Sequence, residues 1–507
     1  MEAGVWISLT AYFVLMLAIG FYAYAKSTGT AEQYILGGRR LPPAVAALSA
    51  GASDMSGWLL LGLPGALYAA GLVEAWIGIG LFIGAYLNWI IVAPRLREQT
   101  ERYDNSLTVP AFLAARFPST ALPLRTISGL VIVVFFSVYT ASGLVGGGKL
   151  FTTAFSGVVD VGGASDYAVG VWLTLGIVLA YTVVGGFLAV SLTDFVQGCI
   201  MMIALIVMPV LVLTTGEGDG IGQAADRLRG IDPSFLSLTQ GLSVIGFLSA
   251  ITWGLGYFGQ PHIIVRFMAV RSVKAVPAAR RIGMTWMGIS LIGAISVGVF
   301  GRAYAERNGL DIQDPETIFI VLAELLFHPL VTGFLFAALL AAIMSTVSSQ
   351  LLVASSSLTE DFYRLFLRRR ASEKETVLVG RVCVLLVGLV AAVLARDPDS
   401  QVLGLVANAW AGFGAAFGPL ILLALTWSRM TGTGAVAGLV TGAAVVIGWI
   451  WIGWSDSFLG GEGVYEIIPG FLCAAIAIVV VSLLTRPSGE FRAIPSPEAD
   501  PEPAGRR

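Results

Sequence analysis

Asp54 lies in the segment 44–70, AVAALSAGASDMSGWLLLGLPGALYAA, which has no other charged side chain. Such a segment is long enough to cross a bilayer. A carboxylate near the middle of a span costs roughly 3 kcal/mol on insertion scales. Gly51, Ser53, Ser56 and Gly57 flank it, residue types that loosen a helix and offer polar atoms. A polar, glycine-broken patch inside an apolar segment reads as a binding site. The alternative is a buried structural carboxylate, hydrogen-bonded between helices. A second interrupted segment, 241–263, contains WGLGYFGQP from Trp253 to Pro261, with three glycines and a proline in nine residues, a pattern that disfavours a continuous helix. Trp253 and Tyr257 are spaced i, i+4 and share a face if the helix persists between them; an aromatic packing stripe is the alternative. A third segment, 341–350, AAIMSTVSSQ, sets the hydroxyls of Ser345 and Thr346 side by side. They are two neutral oxygen ligands for a cation, or hydroxyls bonded back to the preceding turn.

The elements that must carry these residues are membrane spans. Of 507 residues, 56% are hydrophobic and 12% charged, where soluble domains carry about 25% charged residues. Mean hydropathy is +0.84. The chain is expected to be an all-α polytopic membrane protein. Its formal net charge of −2 implies no nucleic-acid partner. Cys199, Cys383 and Cys473 are far apart in apolar stretches, and His262 and His328 are the two histidines; neither a disulfide framework nor a His-based metal site is expected. No nucleophile–base pair stands out, so an enzyme is not expected. Nor is a cleavable leader, since Glu2 precedes the first apolar run with no Lys or Arg.

Thirteen apolar spans are read at 5–25, 44–70, 74–94, 127–151, 167–187, 192–214, 241–263, 283–304, 329–358, 377–395, 402–427, 433–454 and 465–485. They form one transporter domain, 1–486, followed by a proline-rich polar tail, 487–507, expected to be disordered and cytoplasmic. Loops after odd-numbered spans carry most of the cations, among them Arg39, Arg95, Arg97, Arg125, Arg266, Arg271 and Arg364. The positive-inside rule then puts the N-terminus outside and the C-terminus in the cytoplasm. Glu74 and Asp194 fall at span ends, where exposed or capping roles are expected. His262 is expected to be structural and near the cytoplasmic side. The interrupted spans are the second and the seventh, so they cross in opposite directions. That is the layout of two inverted five-span repeats, spans 2–6 (44–214) and 7–11 (241–427), and paired broken helices point to a secondary-transporter site. Unwinding frees carbonyls that suit a hard cation and amides that suit a carboxylate.

The strings GASDMSGWLLLGLPGA, VFFSVYTASG, YTVVGGFLAVSLTD, WGLGYFGQPHI, AAIMSTVSSQLLVASSSLTEDFYR and AWAGFGAAFGPL closely resemble the sodium/solute symporter family, and the resemblance runs over nearly all of 5–485. It implies thirteen spans, an external N-terminus, the LeuT-type five-plus-five inverted repeat, and import of L-proline with Na⁺ across the cytoplasmic membrane. By matched position it implies a Na⁺ site from backbone oxygens of Ala52, Met55 and Ala342 with the Ser345 and Thr346 side chains. It implies proline contacts at Ser56, Gly57, Tyr139, Trp253, Tyr257 and Pro261, and coupling roles for Asp54 and Arg39. Within the same fold another solute, such as pantothenate or urea, or H⁺ coupling, is the alternative. A transporter-like nutrient sensor is a further one, disfavoured by the short tail after the last span.

Overall fold

The computed structural model describes residues 2–26, 30–158, 162–214, 220–368 and 370–485. The tail at 487–507 lies outside them. The described chain is helical, with one isolated backbone bridge between Leu41 and Val270. Its principal helices are α1 (Ala3–Lys26), α2 (Pro43–Asp54), α3 (Trp58–Ala70), α4 (Ala75–Arg102), α5 (Ala121–Ala154), α6 (Asp166–Ala180), α7 (Gly186–Thr214), α8 (Val244–Ile251), α9 (Pro261–Ala269), α10 (Val276–Asn308), α11 (Pro329–Ser357), α12 (Glu373–Leu394), α13 (Val402–Thr426), α14 (Gly432–Ile452) and α15 (Ile467–Leu484).

Among the described residues, ten helices are long and apolar enough to cross a membrane, and α2 with α3 makes an eleventh span bent by 63°. The chain is therefore a multi-pass membrane protein. The expected thirteen are not reached by length and composition, for a local reason in each case. Gly186 (φ 60, ψ −161) breaks the helical run from Asp166 to Thr214 in a conformation open to glycine, so α6 stays short. The seventh span is divided into α8, a 3₁₀ stretch Thr252–Gly259 and α9. Elsewhere the helices outrun the hydropathy: α4 continues to Arg102, and Arg95 and Arg97 are helical rather than loop residues.

The bundle has a centre and a rim. In their apolar windows α11 and α13 are each 83% buried, whereas α1 and α15 are each 28% buried. Apolar side chains on the rim, such as Phe21, Leu386 and Leu484, have the character of a lipid-facing surface, where lipid replaces water as the solvent. The two interrupted segments, α2–α3 and α8–α9, pack against the centre.

Candidate functional site

The break in the second span falls at Met55 and Ser56, one residue beyond Asp54. Helix α2 runs unbroken through Gly51 and Ser53 and ends at Asp54; Met55 leaves helical geometry (φ −78, ψ 77). Gly51 does not loosen the helix. A Cβ there would lie 2.5 Å from the Trp286 ring, so the glycine lets α10 approach. The freed groups at the break bond one another. The Asp54 carbonyl accepts from the Ser56 amide (2.9 Å), the Trp58 indole (3.0 Å) and the Tyr139 hydroxyl (3.3 Å). Helix α3 then opens with a π turn, Trp58–Gly62, and its N-terminal end points at Ser56 and Gly57.

The carboxylate of Asp54 is 2% exposed. Its Oδ2 accepts a short hydrogen bond from the Tyr257 hydroxyl, and Oδ1 has no partner among the described residues. So the two interrupted spans are joined side chain to side chain at the break itself. Beside it is a cavity of about 20 Å³, lined by Asp54, Met55, Asn88 and Tyr257 and otherwise by apolar and small residues. A space of that size holds about one water. Asn88 donates to the Tyr257 carbonyl (3.0 Å), and its Oδ1 is also without a partner. Two buried acceptors with no donor thus line one cavity. Asn88 was not singled out from the sequence. The signal was there, since it is the lone polar amide in the apolar run 75–93.

Trp253 and Tyr257 do not share a face. The stretch between them is 3₁₀, with three residues per turn, so an i, i+4 pair is separated by about 120° rather than the roughly 40° of an α-helix. Tyr257 points at Asp54 and packs edge-on to Trp410 (5.0 Å, 86°). Trp253 stacks on Tyr465 (5.2 Å, 26°). Gly256 is needed here: a Cβ would come within 1.9 Å of the Trp410 indole nitrogen. Trp410, another residue the sequence left unassigned, donates to the Trp253 carbonyl (2.7 Å) and accepts from Gln260 at its own carbonyl (3.1 Å). Pro261 begins α9 at its first turn, where a missing amide costs nothing.

On the other side of the break, α11 brings its hydroxyls to α2. Ser345 Oγ donates to the Ala52 carbonyl (2.7 Å) and the Ala342 carbonyl (3.1 Å), and Thr346 Oγ1 lies 3.4 Å from the Ala52 carbonyl. Ser345 thus bonds back to the preceding turn at Ala342, and both hydroxyls reach across to Ala52 in the last turn of α2. Ala52, Ala342, Ser345 and Thr346 therefore form one buried cluster of neutral oxygens, with Met55 three residues beyond Ala52. No group of three or more His, Cys, Asp or Glu that could hold a metal occurs among the described residues.

Several expectations are corrected. Asp194 is not at an exposed span end, and Arg266 is not a loop cation. Both are fully buried and paired at 3.1 Å. Ser49 of α2 donates to Asp194 (2.7 Å) and accepts from Arg266 (3.1 Å); Ser349 of α11 also binds Arg266. The short apolar run around each charge hid it, because the helices continue past the hydropathy boundary. His262 lies beside the centre, with its ring edge-on to Phe136 and Tyr139 (5.4 and 5.7 Å) and no hydrogen-bond partner among the described residues. Arg39 is away from the Asp54 and Ser345 groups. It donates to Asn105 (2.9 Å), Thr100 (3.1 Å) and the carbonyls of Met268 (2.9 Å) and Ser106 (2.7 Å).

Two interrupted helices joined at a buried carboxylate, at the centre of a membrane-length bundle, define a secondary transporter. The chain belongs to the sodium:solute symporter family, whose model matches residues 34–442. It is 54% identical over 473 residues to the high-affinity proline transporter PutP of Bacillus subtilis, covering 93% of this chain and 96% of the relative. It is 50% identical over 486 residues to the osmoregulated proline transporter OpuE of the same organism, covering 96% of each. The sodium/proline symporter of Staphylococcus aureus is 50% identical over 492 residues, 96% of this chain and 94% of the relative. Among solved structures, a Na⁺-coupled sialic acid symporter in a substrate-bound outward-open state has a TM-score of 0.77 at 19% identity, covering 96% of this chain and 99% of the other. That likeness concerns the fold.

Proposed function

We propose that this protein imports L-proline by symport with Na⁺ across the cytoplasmic membrane, with its N-terminus outside and its C-terminus in the cytoplasm. Relatives named as proline transporters and sodium/proline symporters, about half identical over nearly the whole chain, support the solute and the ion. The bent α2–α3 pair counted once, with the two short apolar helices added to the ten long ones, would make thirteen spans, which supports a LeuT-type five-plus-five repeat within a single transporter domain 1–486.

The observation that carries the proposal is the meeting of Ser345 and Thr346 with the Ala52 carbonyl, at the end of the broken helix that also holds Asp54. Na⁺ would take the backbone oxygens of Ala52, Met55 and Ala342 with the two hydroxyls, whose lone pairs turn inward once the ion replaces the present hydrogen bonds. Neutral ligands bind a monovalent cation well enough to capture it and loosely enough to release it. Asp54 would favour the cation by its field across a medium of low dielectric. The N-terminal end of α3, at Ser56 and Gly57, would receive the proline carboxylate. Tyr139, Tyr257 and Pro261 would enclose the ring, with Trp253 on the approach. Because ion and solute both order the α2–α3 break, their binding would be cooperative by about 1–3 kcal/mol. Arg39 would act on coupling from the cytoplasmic side, through the backbone it holds.

The test is uptake of labelled proline into proteoliposomes under an imposed Na⁺ or H⁺ gradient, with pantothenate and urea as competitors. Uptake driven by Na⁺ and competed only by proline-like solutes is expected. Uptake that follows the H⁺ gradient alone, or that pantothenate or urea abolishes, would overturn the proposal.

A further inference from the structure

At the end of the bundle where Gly71 closes α3 and the loops before α13 and α15 meet, there is a vestibule of about 720 Å³. Among the described residues its walls carry Glu74, Asp456, Glu462 and Glu466 and no lysine, arginine or histidine. Glu462 is occupied by the Ser243 hydroxyl. Glu466 is different. It is 2% exposed; Oε2 accepts from Ser455 (2.9 Å), while Oε1 has no partner among the described residues. A buried carboxylate oxygen with nothing to accept is costly unless a cation or donor visits it. Next to it in the chain, Tyr465 lies flat against Trp253. Both rings are fixed: the Tyr465 hydroxyl donates to the Ala407 carbonyl (2.9 Å), its amide to Ser249 (3.2 Å), and the Trp253 carbonyl is held by Trp410. Four residues beyond Trp253, Tyr257 reaches Asp54, so the vestibule ends one turn from the central site.

We propose that the vestibule contains a binding site for a small organic ammonium, with Glu466 as its counter-charge and the Trp253–Tyr465 pair as its floor. On the proline reading, on which this rests, the ligand is the solute's own secondary amine, captured there before it reaches Asp54. The pairing of an unsatisfied carboxylate with aromatic faces selects an alkylammonium, since the faces attract the cation and pack against its carbon skeleton. Single-sign walls of low dielectric raise the local concentration of a cationic ligand, and they orient a zwitterion such as proline with its ammonium toward Glu466.

The experiment uses full-length protein in proteoliposomes. Initial uptake of labelled proline is measured over a range of concentrations, together with equilibrium proline binding at saturating Na⁺. Glu466→Gln should lower uptake at low proline several-fold, keep the maximal rate, and weaken only a second, looser component of equilibrium binding, with the tighter component within twofold. Added potassium chloride should narrow the difference, because it screens the walls. Tyr465→Ala should act in the same direction, and Tyr465→Phe, which keeps the ring, should not. Should Glu466→Gln fail to insert, the two Tyr465 variants and the salt response decide the matter. Variants matching the parent within twofold at low proline remove the vestibule site and leave the proline reading intact. A parent protein that moves no proline removes that reading first. A loss that appears only as a higher Na⁺ requirement assigns the vestibule to the metal ion and overturns the ammonium site.

Discussion

Asp54 has one oxygen held by Tyr257 and the other without a partner among the described residues, and the residue borders a water-sized cavity. Neither oxygen bonds Ser345 or Thr346, so on the proposed Na⁺ site the carboxylate would act on the ion through its field. At an effective dielectric of about 20, a unit charge acting over roughly 6–12 Å is worth about 1.4–3 kcal/mol, roughly tenfold or more in affinity. Asp54→Asn should therefore raise the Na⁺ concentration for half-maximal uptake by at least about tenfold, in protein that still inserts; unchanged Na⁺ dependence would return Asp54 to a structural role. Ser345→Ala and Thr346→Ala should each raise the same Na⁺ requirement more than they change proline affinity at saturating Na⁺. Thr346→Ser keeps the oxygen and should retain more function than Thr346→Ala. If Thr346→Ser is as impaired as the alanine variant, side-chain volume in α11 is the better explanation.

At the scale of elements, the 3₁₀ stretch decides what Trp253 and Tyr257 do. Because they point to different places, their substitutions should separate. Tyr257→Phe removes the hydroxyl from Asp54 and should shift Na⁺ dependence. Trp253→Ala faces the vestibule and should reduce uptake at low proline with the Na⁺ requirement unchanged. Identical phenotypes for the two, measured in the same Na⁺ and proline titrations, would contradict the geometry. The sequence carried the existence of this element and not its form. A lone carboxylate in an apolar run is legible because its cost has no other outlet, which is how Asp54 stood out and how Asn88 could have. Glycines are ambiguous: Gly51 and Gly256 read equally well as points of unwinding, and what they admit is the ring of Trp286 or Trp410. That depends on a partner hundreds of residues or several helices away, which no local pattern reports. Arg266 and Asp194 were misplaced for a related reason. Each was read at the edge of a hydropathy window, and their burial follows from each other.

At the scale of the whole molecule, the Asp194–Arg266 pair joins α7 to α9, and its serine partners extend the join to α2 and α11. Removing one partner of a buried pair leaves an uncompensated charge and costs about 3–5 kcal/mol. Asp194→Asn and Arg266→Met should each lower thermal stability in detergent strongly, and the double variant should recover part of the loss. A double variant as unstable as the sum of the two would mean that the pair is not the unit. The join is continued at the Arg39 end of the bundle. There Arg39 holds the Met268 carbonyl, Leu41 donates to Ala269 (3.1 Å), and Arg271 donates to Leu41 (3.2 Å), so the start of α2 is laced to the finish of α9. The two half-helices that lead from the central break to that face are thus tied to each other at both ends, with further bonds to α7 and α11. One of them cannot swing aside alone without shedding these bonds, and a passage opening between them and the rest of the bundle would uncover the ion and the solute in the same stroke. On the proposed Na⁺ and proline sites, simultaneous departure of the two cargoes would follow from the lacing, independent of any direct contact between them.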